Sequence, residues 1–302
     1  MNGAGKIRKQ NKCSRLRLNF GGFMMKKLLA ALLASALALT MLAGCAEKGK
    51  DASSGSDSKK LYDFVTLDES LADELYGIAV KKGNETLRDE IQNALNESIE
   101  DGSAAKIAEK WFGKDTIYKP ETPTVTPDPN AKSDKDTIIL GCDVHFAPMG
   151  FMDGDDVVGF DIDLAKLVIE EKMGKKLVIQ PITWANKEAE LNADKVDVLW
   201  NGLTITDKRL AEMTFTDAYM ENRQVIVVPK DSDIKSAADL AGKNIAMQKQ
   251  SSAVDAYKEA GISANVTELA DNVACLTELK QGRQDAVIMD SVVADYYLSL
   301  EK

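Results

Sequence analysis

The 302 residues carry a formal net charge of −10. Residues 1–44 hold eight Lys/Arg and no Asp/Glu, so the rest of the chain has 30 Lys/Arg against 48 Asp/Glu, a net charge near −18. Such acidity argues against nucleic acid or an anionic membrane surface as a partner. A small anionic ligand is not excluded, because the groups around its binding site decide that.

The chain opens with the pattern of a secretory signal. Lys26-Lys27 precede an apolar run over residues 28–41, and Leu42-Ala43-Gly44-Cys45 follows. A basic region, an apolar region and small residues before a cleavage point are typical of signal peptides, and the run is shorter than the ~20 residues that span a bilayer. The last four residues resemble a bacterial lipobox, which implies that Cys45 is acylated and residues 1–44 are removed. An ordinary signal peptide is the alternative.

Residues 1–23 fit neither a signal nor a fold. Gly21-Gly22 stand just before Met24-Met25 and can be encoded by a purine-rich ribosome-binding sequence, so we expect translation to start at Met24 or Met25. After the signal, residues 45–60 are rich in Ser, Gly, Asp and Lys, a composition that predicts a flexible tether.

Two segments precede the main body of the chain. Residues 61–118 contain a candidate strand at 76–80 and apolar residues at helical spacing, but they are too few to fold alone. Residues 119–136 hold four of the seven prolines and no apolar periodicity, which predicts a semi-extended linker.

Residues 137–302 alternate predicted strands with predicted helices. The strands are expected at 137–142, 176–181, 196–200, 224–228, 244–247, 265–269 and 286–289. The helices are expected at 161–173, 187–192, 236–241, 252–260, 272–281 and 291–298. This alternation predicts an α/β fold with largely parallel sheets. Cys142 and Cys275 fall on elements expected in different lobes, so both are predicted to be free thiols.

The stretch 196–209 suggests a binding loop. A short apolar strand is broken at Asn201-Gly202, and a helix opened by Thr206 carries Arg209 in its first turn. Ligands of open α/β sheets lie beyond the carboxyl ends of strands. Backbone N–H groups from Gly202 to Thr204 and the Arg209 guanidinium are parts that hold a carboxylate. The alternative is a plain strand–loop–helix with an exposed Arg.

Three stretches in one order resemble a known family. They are Gly-Cys-Asp-Val-His-Phe-Ala-Pro-Met-Gly-Phe at 141–151 with residues 158–165, Asn-Gly-Leu-Thr-Ile-Thr-Asp-Lys-Arg at 201–209 with residues 215–219, and Gly-Arg-Gln-Asp-Ala at 282–286 with Asp290. Together they resemble the amino-acid-binding proteins of bacterial ABC importers, solute-binding protein family 3. The resemblance implies a type II periplasmic-binding-protein fold, in which two α/β lobes joined by two crossover strands hold the ligand between them.

The resemblance also implies roles for single residues. Arg209 would pair with the ligand α-carboxylate and Asp290 would take the α-ammonium. The other implied contacts are Gly202, Thr204, Phe146, Trp184, Asp143, Ser251 and Ser252. Gln250 replaces the glycine that usually precedes the two serines, which puts their contact geometry in question. No metal is expected, since the acidic run 153–156 lacks calcium-loop spacing and fits a hairpin turn. No cofactor is expected either, and nothing in the sequence resembles a P-loop or a dinucleotide fingerprint.

Each of these residues also has a structural alternative. Asp290 could simply cap the helix that begins at Ser291. Phe146 and Trp184 could be core aromatics, and Trp200 is expected in the core.

The expected function is an extracytoplasmic, lipid-anchored receptor. It would deliver a polar L-amino acid to an ABC permease and act as a monomer. The alternatives are an enzyme on the same fold, of the prephenate or arogenate dehydratase type, and a sensory lipoprotein without a permease.

The order of segments suggests a circular permutation. In the family, a chain like residues 137–302 is followed by a strand of the second lobe, a return crossover and closing helices; here such a segment precedes it, at 61–118. We therefore expect lobe 1 at 137–224, lobe 2 at 225–302, residues 76–80 beside 224–228, and Trp111 with Phe112 packed on lobe 1. Two independent domains or a domain-swapped dimer are the alternatives.

Overall fold

The computed structural model describes residues 63–300. The predicted leader, the lipid site Cys45 and the tether lie outside the described residues, as do residues 301 and 302. Within 63–300, none of the helices has the length and apolar character needed to cross a membrane.

The described residues form thirteen strands and eight α-helices. The strands are β1 Phe64–Tyr76, β2 Ala79–Lys81, β3 Thr137–Cys142, β4 His145–Phe146, β5 Gly150–Asp153, β6 Asp156–Val158, β7 Lys176–Pro181, β8 Val198–Leu199, β9 Met213–Phe215, β10 Met220–Pro229, β11 Asn244–Gln248, β12 Asn265–Leu269 and β13 Ala286–Asp290. The helices are α1 Glu85–Glu100, α2 Ser103–Phe112, α3 Phe160–Ala165, α4 Lys187–Asn192, α5 Asp207–Glu212, α6 Ser252–Glu259, α7 Asn272–Lys280 and α8 Ser291–Ser299.

Two five-stranded sheets divide the molecule into two lobes. Lobe 1 is built on the order β7-β3-β8-β2-β9, with a three-stranded β4-β5-β6 ribbon beside it, and lobe 2 on β1-β10-β13-β11-β12. The chain passes between the sheets twice, from β1 to β2 and from β9 to β10. The predicted α/β class, with two lobes and two crossovers, is confirmed.

Residues 63–118 contribute to both lobes. β1 runs antiparallel along β10, from Phe64 opposite Pro229 to Tyr76 opposite Met220, and β2 pairs with β8 and β9 in the other sheet. The prediction that residues 76–80 lie beside 224–228 is wrong in register, since Ala72 is the partner of Gln224. The reason is that the second-lobe strand expected in this segment extends as far as Tyr76, which lies opposite Met220, and residues 79–81 already pair in the other sheet.

The two helices that follow pack on lobe 1, as predicted. The ring of Phe112 lies 5.0 Å from that of Phe160, and the ring of Trp111 lies 5.9 Å from that of Phe151. The Trp111 indole also donates to Asp163 at 2.8 Å. Residues 63–118 are therefore no separate module.

The proline-rich segment 119–136 runs along the surface of lobe 1. Backbone N–H groups of Thr124 and Ser133 donate to Asp217 at 2.8 Å and to Glu90 at 2.8 Å. These side-chain acceptors replace the sheet partners that the segment lacks, so it follows a defined course.

Several local predictions need correction. The helix expected over 161–173 is α3 followed by a π-helical stretch, Lys166–Lys172, and the segment near 236–241 is only a 3-10 turn, Ala237–Leu240. The strand expected at 196–200 shrinks to Val198–Leu199. Cys142 and Cys275 are both free and buried, as predicted, and burial raises the pKa of each thiol.

Candidate functional site

The cleft between the lobes contains a small polar pocket. Its cavity volume is only about 10 Å³, and it is lined by Phe146, Trp184, Gly202, Thr204, Arg209, Gln248, Ser251, Ser252 and Asp290. Eight of the nine predicted ligand-binding residues are thus brought together from six segments of the chain. Asp143 lies outside the lining, and Gln248 is a member that the sequence reasoning missed.

Gly202 shapes the wall of the pocket next to lobe 1. Its φ is +58°, and a Cβ there would lie 2.7 Å from the Phe146 ring and 3.1 Å from the Tyr76 ring, so only glycine fits without movement. Its N–H donates to Asp161 at 2.7 Å, and Tyr219 donates to the other oxygen of Asp161 at 2.8 Å. The expectation that this N–H points at a ligand is therefore wrong, because a buried carboxylate already accepts it.

Arg209 is buried at the end of the pocket formed by α5. Helix α5 begins after Thr206, whose side chain accepts the Arg209 N–H, and this fixes the first turn. Arg209 is 6% exposed as a residue, and its guanidinium donates to the carbonyl of Thr204 at 2.8 Å. Burial lowers its pKa, while Glu188, Glu74, Asp255 and Asp290 oppose that shift. An exposed Arg, the alternative from sequence, is ruled out.

Asp290 stands at the opposite end, where β13 meets α8. It occupies the N-cap position of α8 but makes no capping bond with its side chain. Its Oδ1 instead accepts from Tyr76 at 2.7 Å, Asn222 at 2.8 Å and Gln224 at 3.0 Å. A simple capping role is therefore wrong. Burial, together with the neighbouring Glu74, raises the pKa of Asp290 to about 7.

Glu74 is a second buried carboxylate that sequence reasoning missed. Its Oε2 accepts from Thr204 at 3.1 Å, Asn222 at 2.8 Å and Gln224 at 3.0 Å. Its spacing from Tyr76 is the sequence signal that could have identified it. Residues two apart in a strand share a face, so Glu74 lies on the same face as Tyr76. The resulting pattern is unusual, with Glu74 buried and Leu75 36% exposed.

The two serines on lobe 2 face different partners. Ser251 donates to the carbonyl of Gln248 at 2.7 Å, whereas the hydroxyl of Ser252 lies 3.1 Å from that of Thr204 on lobe 1. Gln250 before them has φ +60°, the left-handed conformation that glycine adopts most easily. The departure from glycine thus leaves the backbone shape intact at some cost in strain.

Two further hydrogen bonds join the lobes. Gln248 donates to Asp143 at 2.6 Å, so the predicted ligand contact Asp143 is engaged across the cleft. Lys187 donates to the carbonyl of Gln250 at 2.9 Å, and its ammonium lies 5.0 Å from the ring centre of Trp184. Burial and the nearby Arg209 lower the pKa of Lys187 to about 8.

The aromatic residues Phe146 and Trp184 belong to the core and also line the pocket. Trp184 packs in a buried cluster of lobe 1 with Leu199 and Phe215, and Phe146 belongs to the main core cluster, yet both line the pocket. The core alternative therefore holds in part for each of them. Trp200 is fully buried and absent from the pocket lining, as predicted.

Comparison with known proteins gives consistent results. A profile of bacterial extracellular solute-binding proteins, family 3, matches residues 138–288. The arginine-binding extracellular protein ArtP of Bacillus subtilis is 32% identical over 169 residues, which are 55% of this chain and 66% of ArtP. The chain thus spans slightly under two thirds of this curated relative, and 62% of a glutamine-binding protein from the same organism.

Solved structures show the same fold. A substrate-binding protein of an ABC uptake transporter from Streptococcus pneumoniae with bound histidine is 38% identical with a TM-score of 0.52, covering 55% of this chain and 70% of that one. The ancestral amino-acid-binding protein AncCDT-1, described as a precursor of cyclohexadienyl dehydratase, is 36% identical with a TM-score of 0.52, covering 55% and 74%.

Proposed function

Because the chain belongs to family 3 of the bacterial extracellular solute-binding proteins, we propose that it captures a polar L-amino acid between its lobes and delivers it to an ABC permease. One observation carries this proposal: Arg209 and Asp290, both buried, line one pocket from opposite lobes. A zwitterion leaves water at high cost unless both of its charges are paired, and these two residues offer the matching charges.

Closure of the lobes follows from the same geometry. A ligand that bridges Arg209 and Asp290 favours the closed form by its difference in affinity for the two forms. The names of the relatives support a polar side chain, since ArtP is an arginine-binding protein and the pneumococcal structure holds histidine. A thermal-shift screen of the twenty amino acids plus cystine, ornithine and citrulline tests the proposal. Failure of every compound to raise the melting temperature would contradict it.

A second candidate is a dehydratase of the prephenate or arogenate type. The likeness to AncCDT-1 favours it, as does the pKa of Asp290 near 7, which suits a general acid or base. We rank it second because the binding role proposed for Asp290, opposite Arg209, already accounts for its place in the pocket. Mass spectrometry of the ligand after long incubation separates the two, since binding leaves the ligand unchanged. For the sensory alternative, the discriminating observation is a neighbouring permease and ATPase gene.

The proposed location is outside the cytoplasm, with a lipid anchor at Cys45. The leader pattern and the extracellular family support it. Replacement of Cys45 by Ser should abolish lipid labelling and release the protein from membranes. Membrane retention of that variant at the wild-type level would contradict the anchor.

We also propose that the chain is circularly permuted and monomeric. Residues 61–118 would supply the second-lobe strand, return crossover and closing helices, residues 119–136 the joining linker, and residues 137–224 and 225–302 the lobes. Support comes from β1, which precedes the family match yet pairs along β10 of lobe 2. A rearranged chain, with residues 63–118 moved behind residue 300, should fold as a monomer and bind the same amino acid. A dimer by light scattering would favour domain swapping.

A further inference from the structure

Two buried carboxylates share one set of donors at the hinge side of the pocket. Asn222 Nδ2 lies 2.8 Å from both Glu74 Oε2 and Asp290 Oδ1, and Gln224 Nε2 lies 3.0 Å from each of the same two atoms. A primary amide nitrogen carries two hydrogens, so each amide can give one to each carboxylate. The two acidic groups are therefore held close together by shared neutral donors.

The charges around this pair do not balance. Among the ion pairs of residues 63–300, none joins a Lys or Arg to Glu74 or Asp290, and the hydroxyl and amide groups that donate to them are neutral. The titratable and charged groups nearest the two carboxylates are Tyr76 on β1, Tyr219, and Arg209 on α5. Beyond Arg209 lie the side chains of Lys187, Glu188 and Asp255. Arg209 offsets at most one of the two negative charges, and like charges in a buried site cannot both ionise freely.

An unpaired acceptor lies in the same cluster. Gln224 is fully buried, and its Oε1 has no hydrogen-bond donor although its Nε2 is shared by Glu74, Asp290 and Ser252. Turning the amide around would put its oxygen against two carboxylates, so the observed orientation is the favourable one. The two carboxylates thus lack an ion-paired cation and Gln224 Oε1 lacks a donor, whereas an ammonium group carries both a positive charge and N–H donors.

We propose that Glu74 and Asp290 together form a two-carboxylate subsite for the ligand ammonium, and that the pair holds one proton until the ammonium binds and displaces it. This inference rests on the proposed function, because it assumes an amino-acid ligand. Glu74 acts as a further specificity residue, since it makes the subsite reject analogues in which the amine is replaced by a neutral group. The displaced proton has a route to water, because Glu74 also borders a surface groove with Ala72 and Arg88.

Proton release on binding is the direct test. Isothermal titration of the full protein with L-arginine and with L-glutamine, in buffers of different ionisation enthalpy, gives the number of protons released per ligand. We expect close to one proton at pH 5.5 and close to none at pH 8.5. Affinity should rise with pH over the same range, by up to about tenfold per pH unit, because binding releases a proton.

The variant Glu74→Gln keeps the size and the acceptor oxygen but removes one charge. We expect its proton release to fall to less than a fifth of the wild-type value and its affinity to lose most of its pH dependence. Glu221→Gln, which changes an exposed carboxylate on the neighbouring strand, is the matched control and should behave as wild type. A merely structural role of Glu74 would lower affinity in Glu74→Gln without changing the proton count.

The outcomes separate the two proposals. Binding of an amino acid by the wild type without proton release across pH 5.5 to 8.5 overturns the two-carboxylate subsite alone. The same holds if Glu74→Gln releases as many protons as the wild type. If neither protein binds any amino acid, the proposed function fails and the subsite with it. Should Glu74→Gln fail to fold, the wild-type pH series still decides.

Discussion

One end of the pocket holds a single guanidinium with few hydrogen bonds, whereas the other end holds two carboxyl groups with many. The side chain of Arg209 makes one hydrogen bond, to the carbonyl of Thr204, whereas Glu74 and Asp290 together accept six, all from neutral donors. Arg209 therefore retains donors for a ligand, while the carboxylate end retains uncompensated charge. For the amino-acid ligand proposed above, we expect the two ends to select differently, one by geometry and the other by charge.

The largest effect is expected from removing the guanidinium of Arg209. Arg209→Ala should weaken amino-acid binding by ~2–5 kcal/mol, because the ligand carboxylate would be desolvated without a partner. Titration calorimetry measures the loss. Lys208→Ala changes the exposed neighbouring cation and should leave affinity nearly unchanged. Wild-type affinity in Arg209→Ala would show that the carboxylate binds elsewhere.

Gly202 lies between the two ends of the pocket. The Phe146 ring is on one side of it, and the Tyr76 ring, whose hydroxyl donates to Asp290, is on the other. Gly202→Ala should lower the free energy of unfolding by ~1–3 kcal/mol and weaken binding, because a methyl group there meets both rings at positive φ. Gly154→Ala is a matched control, since it has φ +62° but no atom within 4 Å of the added methyl. Urea unfolding compares them, and equal losses would mean that backbone strain alone acts at Gly202.

The sequence predicts one end of the pocket better than the other. Arg209 and Asp290 lie within short motifs, where a strand end and the next helix fix their positions locally. Glu74 comes from a strand whose place depends on pairing with β10 over 140 residues away in the chain, and no local pattern reveals that partner. The position of Asp143 in the sequence also does not reveal its hydrogen bond with Gln248, because the two residues lie on opposite lobes and meet only across the cleft.

The same limit applies to the fold. The alternation in residues 137–302 predicts most elements because apolar periodicity is a local property. The bounds of β8 and of α3 differ from the prediction for tertiary reasons. Asp197 next to β8 accepts a hydrogen bond from the Ile139 backbone N–H at 2.9 Å, and a π-helical stretch continues α3 where the helix packs beneath α1.

The buried carboxylates should also affect stability. Burial raises the pKa of Asp161 from 3.8 to about 7. The folded protein therefore binds more protons than the unfolded chain between these values, so this contribution is present below pH 3.8 and is lost as the pH rises through 7. The slope is at most about 1.4 kcal/mol per pH unit for one group.

The variant Asp161→Asn should be less stable than wild type and should show a flatter dependence of unfolding free energy on pH between 4.5 and 7.5. The reduced slope reflects the lost titration, and the reduced stability reflects the misplaced donor facing the Gly202 N–H. Chemical unfolding without ligand measures both. Asp155→Asn, in the exposed hairpin turn, is the control. An unchanged slope in Asp161→Asn would mean that Asp161 does not titrate in this range.

The smallest expected effect concerns Gln250, on the lobe 2 side of the pocket. Two residues other than glycine have positive φ in residues 63–300, Gln250 at +60° and Asp194 at +56°. Replacing either with glycine relieves backbone strain in the folded state but increases the freedom of the unfolded chain, so the net change in unfolding free energy should stay within ~1 kcal/mol for both.

Amino-acid binding should distinguish the two glycine variants. The carbonyl of Gln250 accepts from Lys187 across the cleft, and the residue precedes Ser251 and Ser252, so Gln250→Gly should change amino-acid affinity by a few-fold. Asp194→Gly should leave affinity unchanged, because Asp194 lies outside the pocket lining and pairs with Lys81. If both variants bind as wild type, the conformation at Gln250 serves only the fold, and the two ends of the pocket alone determine the affinity.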